Sequence, residues 1–338
     1  MATIGNSFLN LIDAKRTTPE GAVLEVLAQT NPVLDDAWVI PCNNGNKHRH
    51  SIRTGLPSVS WGALYQGTPQ SKGHTQAVED TTGWVEQMSA VDERMLDIEA
   101  DKVNQLRLNE ASGVLEAMSQ EGATGIFYHD TATTPEKFKG LGARYNSLAN
   151  KNVISAGGAG SDNTSIWFVT WGDRFTSLIH PADAPGGIQR TDNGRQRVTD
   201  ASGNPYYVLE ETFRWHLGLS VGDWRYNSRV ANIDVSDMQA GTVDLYKFLR
   251  KGYYALQSRR VARPGANLPD GEAAPRQAIY CNRDVLEALE ALAQNKGSSD
   301  NFVRLTPMEI AGQEVMTYRG IPIRETDALL NTEAAVAA

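Results

Sequence analysis

Cysteine is nearly absent from this 338-residue chain: Cys42 and Cys281 are the only two. They form no CxxC element and cannot frame a disulfide scaffold, so buried, reduced thiols are expected. Long hydrophobic runs are missing as well. No apolar stretch approaches the about 18 residues of a helical span, and the strongest, Ile166 to Val169, has strand length; no membrane partner is expected. The first residues show no signal-peptide core before Asp13, Lys15 and Arg16, so a soluble, cytoplasm-like compartment is the expectation. Positive charge is in deficit, with 32 Lys plus Arg against 40 Asp plus Glu and a formal net charge of −8. That balance argues against a role built on neutralising many phosphates, although patchy contact with nucleic acid stays open. What is present is a globular composition, 41% hydrophobic and 21% charged, sufficient for one large domain or two modest ones.

From Trp38 to Gly83 large aliphatic residues thin out while six glycines and three prolines accumulate. Asn44-Gly45 is a tight-turn signal, and the short alternating pieces predict extended chain joined by turns. Such a stretch cannot build its own core, and a structureless insertion of that length is unusual in a compact monomer. It reads as a long β-hairpin arm covered by other subunits. Trp38, Trp61, Tyr65 and Trp84 lie in or beside it and need a partner surface. Gly62, Gly67, Gly73 and Gly83 are placed to act as hinges.

Before the arm, Phe8, Leu11 and Ile12 form one short helical pattern, and Val23, Leu24 and Leu27 a second that opens at Thr18-Pro19-Glu20. After it, Trp84, Met88, Val91, Met95 and Ile98 recur at helical spacings and continue through Val103, Leu106, Ala111, Val114, Leu115 and Met118. A single helix over Ser89 to Glu121 would be about 50 Å long, the diameter expected of a compact chain of this size, and so implies a flat or elongated subunit. Thr134-Pro135-Glu136 predicts a helix carrying Phe138, Leu141, Tyr145 and Leu148. The stretch from Pro181 to Pro205 reads as a hairpin excursion or surface loop. Strict alternation from Phe213 to Val221 predicts a strand, followed by a second near Arg229 to Ile233. A helix over Val243 to Leu256, a strand at Ala278 to Cys281, a helix capped by Asn282, and a strand pair across Gly320 complete the pattern. Ala334 to Ala338 reads as an untethered tail. The mixture is α+β, without a βαβ period.

Chemistry-bearing clusters are sparse. His48, His50 and His74 share the arm with Cys42, but a compact fourth ligand is missing, so solvated or interface histidines are expected and no metal is assigned. His129, His180 and His216, the last near Glu210 and Glu211, do not assemble a nucleophile and base at a recognised spacing. Gly157 to Ser161 lacks the ending of a phosphate-binding loop and reads as a turn. No catalytic residue and no cofactor is assigned. Arg250, Lys251, Arg259, Arg260 and Arg263 form a basic group, suited either to a polyanion on an inner face or to an ordinary helix end.

Several segments carry a family resemblance. They are Asp80-Thr-Thr-Gly-Trp-Val-Glu-Gln-Met88, Ile126-Phe-Tyr-His-Asp130, Phe138-Lys-Gly-Leu-Gly-Ala-Arg-Tyr145, Trp215-His-Leu-Gly-Leu219, Ile279-Tyr-Cys-Asn-Arg283, Tyr318-Arg-Gly-Ile-Pro-Ile-Arg324 and Asp327-Ala-Leu-Leu330. In this order, over most of the chain, the sequence resembles the major capsid proteins of short-tailed bacteriophages related to epsilon15. The resemblance implies the HK97-like capsid fold, with an N-terminal arm over residues 1–36 and an extended E-loop over 37–83. It further implies a peripheral domain over 84–133 with a spine helix from Asp101 to Glu121, a mainly axial domain over 134–330 with strands returning to the peripheral one, and a tail over 331–338.

By the same resemblance the chain is expected to assemble as hexamers and pentamers into an icosahedral virion capsid, built in the bacterial host cytoplasm. The implied partners are other copies of the chain, a scaffolding protein, a cementing protein, a portal protein at one vertex, and non-specifically packaged double-stranded DNA. Some members of the wider fold join subunits by a Lys–Asn bond; Lys47 and Lys72 sit in the arm, but no supporting carboxylate is identifiable. Two other readings compete. A decoration or tail protein is disfavoured by the long helical pattern, and a polysaccharide-active enzyme would require a pocket with paired carboxylates.

Overall fold

A computed structural model describes residues 29–94, 103–257, 275–294, 305–310 and 313–337. The expected patterns at Phe8–Ile12 and Thr18–Ala28, and Arg259, Arg260 and Arg263, lie outside the described residues.

The centre of the molecule is β5 (Asn163–Trp171), buried along its whole length. Its side chains alternate between two cores, as the period of a strand demands. Trp167, Val169 and Trp171 enter one core with Ile126, Phe127, Leu141 and Leu219. Ile166 and Phe168 enter the other with Leu245, Leu249, Val285 and Leu289. The neighbouring β10 (Arg276–Cys281) runs antiparallel to β5 and divides in the same way: Ala278 and Tyr280 face the first core, Ile279 and Cys281 the second. A long helix, Val103–Tyr128, closes the first side. The helices Leu245–Ala255 and Arg283–Gln294 close the second with single apolar stripes.

Outward from β5 the sheet continues through β6 (Thr176–His180), β8 (Pro205–Val221), β3 (His74–Asp92) and β2 (Lys47–Gly55). On the opposite flank lie β10, β13 (Ile321–Glu325), β12 (Gln313–Tyr318) and β11 (Thr306–Ile310). β1 (Val39–Pro41) pairs parallel with β6, and β9 (Ser228–Asp234) pairs with β5 and with the short β4 (Val153–Ser155). β7 (Ile188–Thr199) forms a long hairpin with β8, which settles the Pro181 to Pro205 stretch as a hairpin. Its turn is stitched by the Asp200 carboxylate, which accepts from the backbone N–H of Ser202 and Asn204.

Three expectations are corrected. Residues 84–92 are strand, because β3 pairs with β8 without a break from Thr82↔Gly218 to Asp92↔Val208. The spacing of four between Trp84 and Met88 suits a strand face as well as a helix face, and the eleven-residue ladder decides the matter. The predicted Thr134 helix reduces to one turn, Leu141–Arg144. A Cβ at Gly140 would lie 2.6 Å from the Gly125 carbonyl, and one at Gly142 would lie 2.5 Å from that of Phe127. The segment is thus pressed against the end of the long helix while Phe138, Leu141 and Tyr145 still enter the core. The C-terminal residues are tied down. Glu333 is buried, Val336 N–H donates to Asn232 Oδ1 at 2.7 Å, and Leu148 N–H donates to the Ala337 carbonyl at 3.1 Å.

Candidate functional site: an apolar-tipped arm and its root

β2 and β3 form an antiparallel hairpin from Lys47↔Thr81 to Gly55↔His74. The nine residues of β2 project about 30 Å. Near its base one face is half-buried, at His48, His50 and Ile52. Beyond Ile52 that cover ends, and residues 56–72 are all exposed.

This tip is not polar. Leu56, Val59, Trp61, Leu64 and Tyr65 are all exposed, with Trp61 and Tyr65 as open to solvent as in an extended peptide. Tyr65 also has φ +64°, a left-handed conformation that costs a bulky residue roughly 1–2 kcal/mol. Of the expected interface aromatics, Trp61 and Tyr65 stand on the tip. Trp84 lies on the open face of β3, 66% exposed and beside His216, with Met88 further along the same face. Trp38 instead packs against the chain's own first core. Leu56, Val59 and Leu64 were not singled out by the sequence reading, because glycines and prolines break any period among them. The available signal was large apolar side chains in a segment with no core of its own.

The root is fixed as firmly as the tip is free. The carboxylate of Asp80, 4% exposed, accepts from Arg144 Nη2 at 2.7 Å and from Val221 N–H at 3.4 Å. Arg144 Nη2 also donates to the Leu219 carbonyl, so one guanidinium joins the hairpin to β8. His50 Nδ1 lies 4.0 Å from Asp80. Thr82 N–H donates to the Asn46 carbonyl, and Gly45, at φ +61°, turns the chain between β1 and β2. Gly83 is not a hinge: a Cβ there would meet the Glu136 carbonyl at 2.8 Å, so glycine is needed for close backbone approach. Gly62 and Gly67 lie in open space on the tip, and Gly73 faces the Gly55 carbonyl. Cys42 is buried beside the root, and burial together with Asp80 raises its thiol pKa to about 11. Among the described residues no group of His, Cys, Asp and Glu could hold a metal ion.

Electrostatically the arm differs from the body. Lys47, Arg49, Arg53 and Lys72 against Glu79 alone give residues 47–79 a charge of +3, leaving the remainder at −11 of the total −8. Lys47 and Lys72 are both exposed. A cleft of about 680 Å³ separates Arg53 at the distal end of β2, and Leu56 just beyond it, from the loop carrying Asp223, Trp224 and Arg225. Arg250 and Lys251 are exposed on the Leu245–Ala255 helix, with Lys251 Nζ 5.4 Å from the Phe248 ring centroid. No described helix is long and apolar enough to cross a membrane.

A family model for the major capsid protein GP7 matches residues 15–337. The chain is similar to the solved structure of bacteriophage epsilon15, at 32% identity, with 100% of both chains covered and a TM-score of 0.70. It also matches the capsid of a native GTA particle at 11% identity, over 62% of this chain and 92% of that one, with a TM-score of 0.45. A holo-SrpI encapsulin from Synechococcus elongatus matches at 9% identity, over 66% of this chain and 95% of the other, with a TM-score of 0.43. No curated protein matches significantly.

Proposed function

The chain belongs to the GP7 family of phage major capsid proteins, and from that premise we propose that the arm over residues 47–79 lies across a neighbouring copy and closes the shell. The fold is the HK97-like capsid fold, and the chain is a capsid-forming structural component of a virion. The observation that supports the arm reading is the contrast between a root held by Asp80 and Arg144 and a tip carrying five exposed large apolar residues.

A monomer gains nothing from a rigid stalk that holds Trp61 and Tyr65 in water. A lattice does: each tip buries its apolar area on the next subunit, and aromatic anchors supply much of the energy of such contacts. The arm's positive charge and the body's negative charge bias encounters toward arm-on-body contact. Gly62 and Gly67 let one tip fit the slightly different angles of hexamers and pentamers. The net acidity keeps packaged double-stranded DNA loosely held, with Arg250 and Lys251 as local inner-face contacts. A scaffolding protein, a cementing protein and a portal protein are the further partners of this reading. Function resides in interfaces, so no catalytic group is assigned.

The test is the double variant Trp61→Ala/Tyr65→Ala, expressed with its phage partners. Each truncation of a central aromatic anchor costs about 2 kcal/mol or more of contact energy, repeated at every copy. The expected outcome is a folded subunit by circular dichroism that no longer yields shells in electron micrographs. Normal shells from that variant would refute the arm reading.

A further inference from the structure

The chain contains two Asn-Gly pairs, Asn44-Gly45 and Asn193-Gly194. Both glycines are left-handed, at φ +61° and +67°, and a Cβ at either would stand in open space. The glycine geometry is the same at the two pairs, but the surroundings differ. Asn193 is half-buried in the β7–β8 hairpin, and its Nδ2 donates at 2.7 Å to both Glu210 Oε1 and Thr212 Oγ1. Gly194 N–H donates to Asp192 Oδ1 at 2.8 Å, so the glycine nitrogen is engaged as well.

Asn44 opens the turn that leads into β2. Its N–H donates to the Lys47 carbonyl and its carbonyl accepts from Lys47 N–H, both at 3.0 Å. These bonds set the main chain and leave the side chain out. Asn44 is exposed, and among the described residues neither its carboxamide nor the Gly45 N–H has a hydrogen-bond partner. A free carboxamide is therefore followed by a nitrogen that is unbonded and, with no Cβ on the next carbon, unshielded. That is the arrangement in which a main-chain nitrogen can attack the side-chain carbonyl carbon.

We propose that Asn44 is a site of spontaneous deamidation in the folded subunit and that the fold protects Asn193 from the same reaction. The Gly45 nitrogen forms a bond to Asn44 Cγ, the bond from Cγ to Nδ2 breaks, and Nδ2 leaves as ammonia carrying the hydrogen displaced from Gly45. Water then opens the cyclic succinimide at either carbonyl, which restores the Gly45 N–H and gives aspartate or isoaspartate. The net change is carboxamide plus water to carboxylic acid plus ammonia, with no oxidant or reductant. Either product places a new negative charge beside an arm whose residues 47–79 carry +3. Isoaspartate also lengthens the main chain by one carbon in a turn that is tied on both sides. Ala182 N–H donates to the Gly45 carbonyl and Thr82 N–H to that of Asn46. The site lies at the arm's root and is independent of where the tip rests.

The test incubates the full chain in mildly alkaline buffer made with heavy-oxygen water and maps its peptides by mass spectrometry. The label is expected to enter at position 44 roughly tenfold faster than at position 193, the weight of the side-chain hydrogen bonds that hold Asn193. In concentrated urea, where those bonds are lost, the two rates are expected to converge. Equal rates in the folded chain, or a faster rate at 193, overturn the proposal. So does a difference that urea leaves intact, because the neighbouring residues and not the fold would then set it. Glu210→Ala/Thr212→Val is expected to raise the rate at Asn193 and leave that at Asn44 unchanged. A folded variant with no rise at Asn193 overturns the protection assigned to these bonds.

Discussion

Arg229 donates to the Glu333 carboxylate at 2.9 Å, and both side chains are buried, 104 positions apart in sequence. Tyr128 and Ser165 donate to the two oxygens of the same carboxylate. The C-terminal segment is therefore a strut between β5, β9 and the end of the long helix. Glu333→Ala leaves the buried guanidinium unpaired, a change that costs about 3–5 kcal/mol. A matching drop in the free energy of urea unfolding is the expected outcome; an unchanged midpoint would show that the strut carries no load.

Asp80 plays the equivalent part at the arm. Asp80→Ala strands Arg144 and removes the acceptor of Val221 N–H, with an expected loss of about 3–5 kcal/mol. The loss should be local as well as global. Amide exchange across Lys47–Gly55 is expected to accelerate more than exchange in β5, and the reverse order would contradict the role of Asp80 as the root anchor.

Much of the body was legible because its signals are local. The alternation from Phe213 to Val221, the stripe of the Leu245–Ala255 helix and the Asn282 cap each follow from neighbouring residues. The Asn282 carboxamide oxygen does accept from Asp284 N–H. Misreadings arose where a distant partner decides. Trp84 and Met88 fit two periods until β8 pairs with them. Gly140 and Gly142 look like poor helix residues until the carbonyls at the end of the long helix are placed against them. Nothing near Glu333 announces Arg229. In the arm, the lack of a core was readable from composition, whereas the holding pair Asp80–Arg144 was not.

Gly122 is occupied from above by an indole. A Cβ at this position would collide with Cζ3 of Trp215 and lie 2.7 Å from its Cη2, in a half-buried ring that closes the sheet onto the long helix. Gly122→Ala improves helix propensity but overpacks this contact, with an expected net destabilisation of about 1–3 kcal/mol. Thermal unfolding separates the two effects by sign: a raised midpoint would mean that Trp215 moves aside freely.

Acid should weaken the subunit in a defined window. His50 and His129 both titrate below the ordinary 6.5, in each case chiefly because burial disfavours the charged ring. Lys137 and, for His50, the neighbouring His48 and Arg144 push the same way, while Asp80 and Glu121 oppose. The unfolded chain then takes up these protons first, so their contribution is complete above about pH 6.5 and is lost as pH falls from there through the folded values. His50→Gln/His129→Gln is expected to flatten stability between pH 7 and 5, measured by denaturant unfolding at each pH. A slope unchanged from the parent would assign the acid sensitivity to other groups.

The most direct measurement is a density map of the assembled particle, traced through residues 56–72 of one subunit. Trp61 and Tyr65 resting against a different copy is the predicted result. The same two rings folded back into the cleft beside Asp223 and Trp224 of their own chain would contradict it.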